Sequence, residues 1–174
     1  MIQQKRSSLF LHKKRMKYRL LEDDELEHFE DELKQFLIVN GVHAEEWEKM
    51  NSEEPQKAIE LIGLFSDTVL QRVYEKLRYF EFRSTNSLML FYVGTDIIHL
   101  ISVSPKPGEN VDLSTVESIH TALSNQAGLL NYFKTSKSIQ GEREMEVHRL
   151  LNQGCVVSSE EFWEKMIETL NPEK

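Results

Sequence analysis

Six histidines, one cysteine and 29 acidic residues are the groups in this 174-residue sequence from which a reactive or metal-binding site would have to be built. The histidines, His12, His28, His43, His99, His120 and His148, are scattered, and none forms an HxH or HExxH pattern. His28 and Glu32, four residues apart on a helix, come nearest to a metal pair, but two ligands on an exposed helix do not hold an ion by themselves. Lys106-Pro107-Gly108 follows a strand-like run without the glycine spacing that cradles phosphate, and GxGxxG, GxSxG and kinase elements are absent. Cys155 stands between Gly154 and Val156-Val157, an apolar setting that raises a thiol pKa and suits a packing residue better than a nucleophile. No catalytic residue, cofactor or metal is therefore expected.

Two polar residues stand out by position. Asp67 interrupts an otherwise apolar helical stretch, and Glu81 sits between Phe80 and Phe82 in a strand-like run. Each is a candidate functional residue, and for each the competing reading is a structural hydrogen bond. Phe80, Phe82, Phe91 and Tyr92 suggest a base-stacking sheet only superficially, because Arg78 and Arg83 are the only cations near them; a core role fits better. Acids from Glu22 to Glu32 crowd one helix face without the spacing or turn glycine of a calcium loop, so that face is expected to be solvated surface or a docking surface.

The elements that must position these residues are organised around Glu54–Ser104. Ser52-Glu53-Glu54-Pro55 announces a helix, with Ser52 expected as cap and Pro55 in the first turn. Ala58, Ile59, Ile62, Phe65, Val69, Val73 and Leu77 recur at three and four residues, while Ser66, Asp67 and Glu75 are expected on the outer side. After Arg78 the period shortens to two. Residues 79–84, 88–93 and 97–103 are expected to form three strands, with turns at Thr85-Asn86-Ser87 and Gly94-Thr95-Asp96. Upstream, Glu22–Asn40 is expected to be a helix capped by Asp23 or Asp24, followed by a short helix carrying Trp47 and Met50. Downstream, a helix capped by Asp112 or Ser114 carries Val116, Ile119 and His120. Lys134–Ser138 looks like a loop, a helix follows Gly141 with His148 at its surface, and Ser158 or Ser159 caps a final helix bearing Phe162, Trp163 and Met166. The expected fold is α+β: N-terminal helices, a three-stranded antiparallel meander over about 79–103, and C-terminal helices packed on one face of the sheet.

Length and composition allow one domain, expected over residues 16–174, and no apolar run approaches the roughly 18–20 residues of a membrane span. The lone cysteine fits a reducing cytoplasm. Residues 1–19 carry seven basic residues and no acid, leaving 14 basic against 29 acidic residues in the remainder. Nucleic acid is expected only through that arm. Residues 1–15 are either a disordered tail or an extension upstream of a start at Met16.

Met16-Lys17-Tyr18-Arg19-Leu20, Glu54-Pro55-Gln56-Lys57-Ala58, Leu64-Phe65-Ser66-Asp67-Thr68-Val69, Tyr79-Phe80-Glu81 and His99-Leu100-Ile101-Ser102-Val103 resemble an uncharacterised family of small bacterial proteins of the Bacteroidetes group, a domain of unknown function. The resemblance covers roughly residues 16–170 and implies a start at Met16; it implies no activity, cofactor or catalytic residue. Three functions stay open: a non-enzymatic interaction or regulatory module engaging a protein partner, an enzyme with a site assembled from scattered residues, and an RNA- or ribosome-associated protein acting through the basic arm. Oligomeric state and partner are not legible.

Overall fold

The computed structural model describes residues 16–170, so the basic residues 1–15 and the expected stop at Asn171-Pro172 lie outside the described residues. The chain divides into two compact units, one ending at Leu70 and one beginning at Gln71. In the first, an extended lead-in is followed by α1 (Asp23–His28), α2 (Glu30–Val39), α3 (Ala44–Glu53) and most of α4 (Pro55–Lys76). The expected single helix over 22–40 is thus divided at Phe29. Its cap is Glu22 rather than Asp23 or Asp24, because Glu25 reaches back to accept from the Glu22 N–H at 2.8 Å. Ser52 is not a cap either. α3 runs through it, and its hydroxyl donates to the Glu48 and Lys49 carbonyls, while Pro55 opens α4 as expected.

Tyr18, Leu21, Leu37, Ala58, Phe65 and Leu70 are the buried apolar residues of this unit. Phe36 and Phe65 meet with ring centroids 5.5 Å apart. The lead-in crosses α4 at Gly63, where an added Cβ would stand 3.8 Å from the Met16 sulfur and 3.9 Å from Leu20. Ser66, expected on the outer side, is fully buried: it accepts from the Leu21 N–H at 3.0 Å and donates to the Ile62 carbonyl at 2.7 Å. Ile59, expected inside, is exposed.

The second unit holds a five-stranded antiparallel sheet of β1 (Tyr79–Ser84), β2 (Ser87–Val93), β3 (Ile97–Pro105), β4 (Leu130–Ser138) and β5 (Val156–Val157), in the order β4-β3-β2-β1-β5. The expected meander is its centre. The two outer strands correct the sequence reading: Lys134–Ser138 is not a loop but the outer part of β4, paired along its length with β3. No apolar alternation marks that stretch, and Thr135 is its one β-branched residue, because it is exposed and takes its register from β3.

Strand alternation and register put Tyr79, Glu81, Arg83, Leu88, Leu90, Tyr92, His99, Ile101 and Val103 on one face. Here α5 (Val116–Asn125) and α7 (Glu160–Leu170) supply Ile119, Ala122, Trp163 and Met166 to a common buried cluster with Leu88, Leu90, Ile101 and Val103. Tyr79, Tyr92 and His99 form a cross-strand ladder on the same face, with centroids 5.2 and 5.8 Å apart. Phe80 and Phe82 belong to the opposite face. There α6 (Arg143–Asn152) presents Glu146 to Lys137 of β4 at 3.4 Å, and Gly154, left-handed at φ +88°, lies against the Phe82 ring. Helices therefore cover both faces, not one.

Arg143 joins α6 to its surroundings. Its guanidinium donates to the carbonyls of Tyr74 (2.9 Å), Val93 (3.1 Å), Gly94 (3.0 Å) and Leu77, taking up carbonyls at the end of α4 and at the β2–β3 turn. His148 is not a free surface residue, since Nδ1 meets the Tyr74 hydroxyl at 3.1 Å and Nε2 meets Asn152 at 2.9 Å.

Candidate functional site

The strand pattern that places Glu81 on the helix-covered face also places Arg83 beside it, two residues on. Glu81 is 3% exposed, and both of its carboxylate oxygens have protein donors. Arg83 Nη2 donates to Oε1, and the Ser158 hydroxyl, from the turn between β5 and α7, donates to Oε2 at 2.6 Å. A buried carboxylate between two donors is a stable arrangement. The Arg83 Nε is different, because it is buried and has no hydrogen-bond partner.

This polar cluster forms part of the lining of a groove of about 660 Å³ between α5 and α7. Its apolar walls are Val116, Ile119 and Leu123 of α5 and Phe162 and Met166 of α7. Local sequence explains both helices. Thr115, rather than Asp112 or Ser114, caps α5: its hydroxyl accepts from the Ser118 N–H at 3.0 Å, and the Ser118 hydroxyl accepts from the Thr115 N–H at 3.0 Å. Ser159 accepts from the Phe162 N–H at 3.1 Å and starts α7 where the sequence places it.

Charges lining the groove come largely in pairs. Arg83 faces Glu81, and Lys165 meets Glu161 one turn away on α7 at 2.6 Å. Hydrogen bonding between the latter two holds Glu161 below the usual carboxylate range and pushes Lys165 above its own. His120 lies on the α5 side. In a chain of net charge −8, the groove is thus locally balanced.

The other residues singled out in the sequence lie elsewhere. Asp67 belongs to the first unit, where Oδ2 accepts from the Lys17 N–H at 2.7 Å and Oδ1 from the Tyr18 N–H at 2.9 Å. It fastens the lead-in to α4, so two of the motifs that carry the family resemblance bind each other. Of the basic arm, Arg19 is engaged with Glu25. Cys155 is buried, and burial pushes its thiol pKa up. The His28 ring packs edge-on against Phe29 at 5.2 Å. Among the described residues, no cluster of three or more His, Cys, Asp or Glu is placed to hold a metal, and no helix is long and apolar enough to cross a membrane.

Sequence reasoning missed Ser158 as a partner of Glu81, since 77 residues separate them. Arg83 was accessible to it, because residues two apart on a strand share a face. The sequence places His120 and Phe162 on helices, but their convergence on one groove depends on the sheet face that both helices cover.

The fold and site define a mixed helix-and-strand protein whose antiparallel sheet carries an apolar groove with a hydrogen-bonded polar end. The chain belongs to a family of unknown function, DUF6495, whose model matches residues 16–171. No curated protein and no solved structure matches it.

Proposed function

We propose that the protein is a non-enzymatic interaction module of the cytoplasm, and that the groove between α5 and α7 receives a short apolar segment of a protein partner. The observation that carries this reading is the apolar groove itself, walled by Val116, Ile119, Leu123, Phe162 and Met166 and ending at the Glu81–Arg83–Ser158 cluster. An apolar side chain of the partner would fill the space beside Leu123 and Phe162. Local charge balance favours an uncharged segment over an ionic ligand. Glu81 supports a holding role rather than proton transfer, because both its oxygens are engaged by protein donors. The single buried cysteine is consistent with a reducing compartment.

The test is capture of partners from native cells by tagged full-length protein, repeated with Val116→Glu. Val116 is 58% exposed on the groove wall at the start of α5, where an acid suits the helix, so folding is expected to be unchanged. A stoichiometric partner lost on this substitution supports the reading. Equal capture by both proteins, or no partner with either, overturns it.

A further inference from the structure

The two edges of the sheet are unequal. On one side β5 is two residues long. On the other, β4 runs nine residues in unbroken antiparallel register with β3, from Ile97↔Ser138 to Pro105↔Leu130, and among the described residues no strand lies outside it. Its hydrogen-bonding direction follows from two bonds that continue the ladder beyond its ends: Lys106 N–H donates to the Leu129 carbonyl at 2.8 Å, and Ile139 N–H to the Asp96 carbonyl at 2.8 Å. Odd-numbered residues of this stretch therefore turn their amides and carbonyls toward β3. Those of Tyr132, Lys134 and Ser136 turn outward, a row of donors and acceptors directed away from the sheet.

Proteins commonly blunt such edges with proline, bulges or brevity. β4 contains no proline, and its register has no interruption. What it does have is lysine. Lys134 is exposed on the face of Ile101; on the face of Ile98 Lys137 is exposed but engaged by Glu146 at 3.4 Å, beside Phe133, which is 61% exposed. The strand carries no acid, in a chain whose net charge is −8. These features discriminate between occupants. A second copy pairing antiparallel about the centre of β4 would set its Lys134 opposite Lys134 on the same face, which like-charge repulsion opposes. A segment with acidic side chains on the Lys134 face and apolar side chains beside Phe133 meets complementary groups on both faces.

We propose that the outer edge of β4 is a strand-addition site for an extended peptide segment of alternating acidic and apolar residues. The site is independent of the groove between α5 and α7. Backbone hydrogen bonds at Tyr132, Lys134 and Ser136 supply the pairing, and Lys134 selects acidic partners and opposes self-pairing.

The probe is an acetylated, amidated nine-residue peptide of alternating valine and glutamate, titrated against the full chain by fluorescence anisotropy, with a valine–lysine peptide as counterpart. Expected are saturable binding of the glutamate peptide, at least about tenfold weaker binding of the lysine peptide, and weakening with added salt. Two variants separate backbone from charge. Ser136→Pro removes an outward N–H without taking a donor from the β3 ladder and is expected to weaken binding at least about tenfold. Lys134→Glu, at an exposed position, is expected to reverse the preference between the two peptides. The proposal is overturned if the two peptides bind equally, if neither binds, if Lys134→Glu leaves the preference unchanged, or if Ser136→Pro, folded by circular dichroism, binds undiminished. Sedimentation showing a dimer of the full chain that Ser136→Pro dissociates would make a second copy the occupant and overturn it equally.

Discussion

Buried polar atoms in the sheet unit fall into two kinds, and their substitutions should have opposite signs. Glu81 is fully engaged, so Glu81→Gln leaves Arg83 facing a neutral amide and is expected to cost about 1–3 kcal/mol, read as a lower urea midpoint at unchanged slope. Glu81→Leu combined with Arg83→Met removes both charges and should recover most of that loss, since a pair replaced by apolar groups is often neutral. A single variant as stable as the wild type would show that the pair contributes nothing. The Tyr132 hydroxyl, in contrast, is buried without a partner, and burial pushes its pKa up. Tyr132→Phe removes an unsatisfied group and is expected to be neutral or stabilising by about 1 kcal/mol; a loss of more than about 1 kcal/mol in the same urea titration would show that the hydroxyl is in use. At this scale the sequence was partly legible. An acid between two strand phenylalanines marked Glu81, and its alternation marked Arg83. Ser158 and the isolation of the Tyr132 hydroxyl are products of tertiary placement, which no local pattern encodes. Ser66 was misplaced for a related reason: serine reads as polar surface, yet here its hydroxyl supplies bonds to the lead-in and to its own helix.

Helix starts depend on local chemistry and can be tested with pH. Glu25 accepts from the Glu22 N–H at the start of α1 and from both terminal nitrogens of Arg19, at 2.6 and 2.7 Å. The Arg19 hydrogen bond is the main cause holding its pKa down at about 2, against partial desolvation. A carboxylate whose folded pKa is depressed stabilises above its unfolded value, near 4.5, and that contribution disappears as pH falls from there through about 2. Both partners are a third or more exposed, so screening limits the effect to at most about 1 kcal/mol. Glu25→Gln retains a capping side chain and removes only the charge. The expected outcome is a small destabilisation at pH 6 that shrinks as pH falls from about 4.5 and is lost below about 2; a difference independent of pH would assign it to shape. Element identity was legible wherever periodicity was strong, as in α4, the central strands and α7. It failed at β4, whose Lys-Thr-Ser-Lys-Ser sequence carries loop composition because the strand is exposed and its register comes from a neighbour about 35 residues earlier in the chain. The fused reading of α1 and α2 failed less badly, since the chain departs from helix only at Phe29.

Over the whole chain, charge and fold are expected to be separable, and a test of this distinguishes the interaction reading from the RNA-associated one. Buried apolar residues of the described chain begin at Tyr18, and the lead-in is fastened through backbone N–H groups at Lys17, Tyr18 and Leu21. Removing residues 1–15 takes away five basic residues and changes the formal net charge from −8 to −13. Greater self-repulsion is expected to cost little at physiological ionic strength, where charges more than about 8 Å apart are largely screened. The 16–174 protein is therefore expected to unfold within about 0.5 kcal/mol of the full chain and to keep its partner and strand-addition binding. Any affinity of the full chain for single-stranded RNA at low salt should disappear, because an acidic protein without the arm repels a polyanion. RNA binding retained by 16–174 would place a nucleic-acid site within the described fold and count against a groove that selects uncharged segments. A large loss of stability would place residues 1–15 within the folding unit and overturn the expected boundary at residue 16. If instead the shortened protein keeps its stability and its partner while losing only RNA retention, the arm acts as an electrostatic appendage and molecular recognition belongs to the groove and the β4 edge.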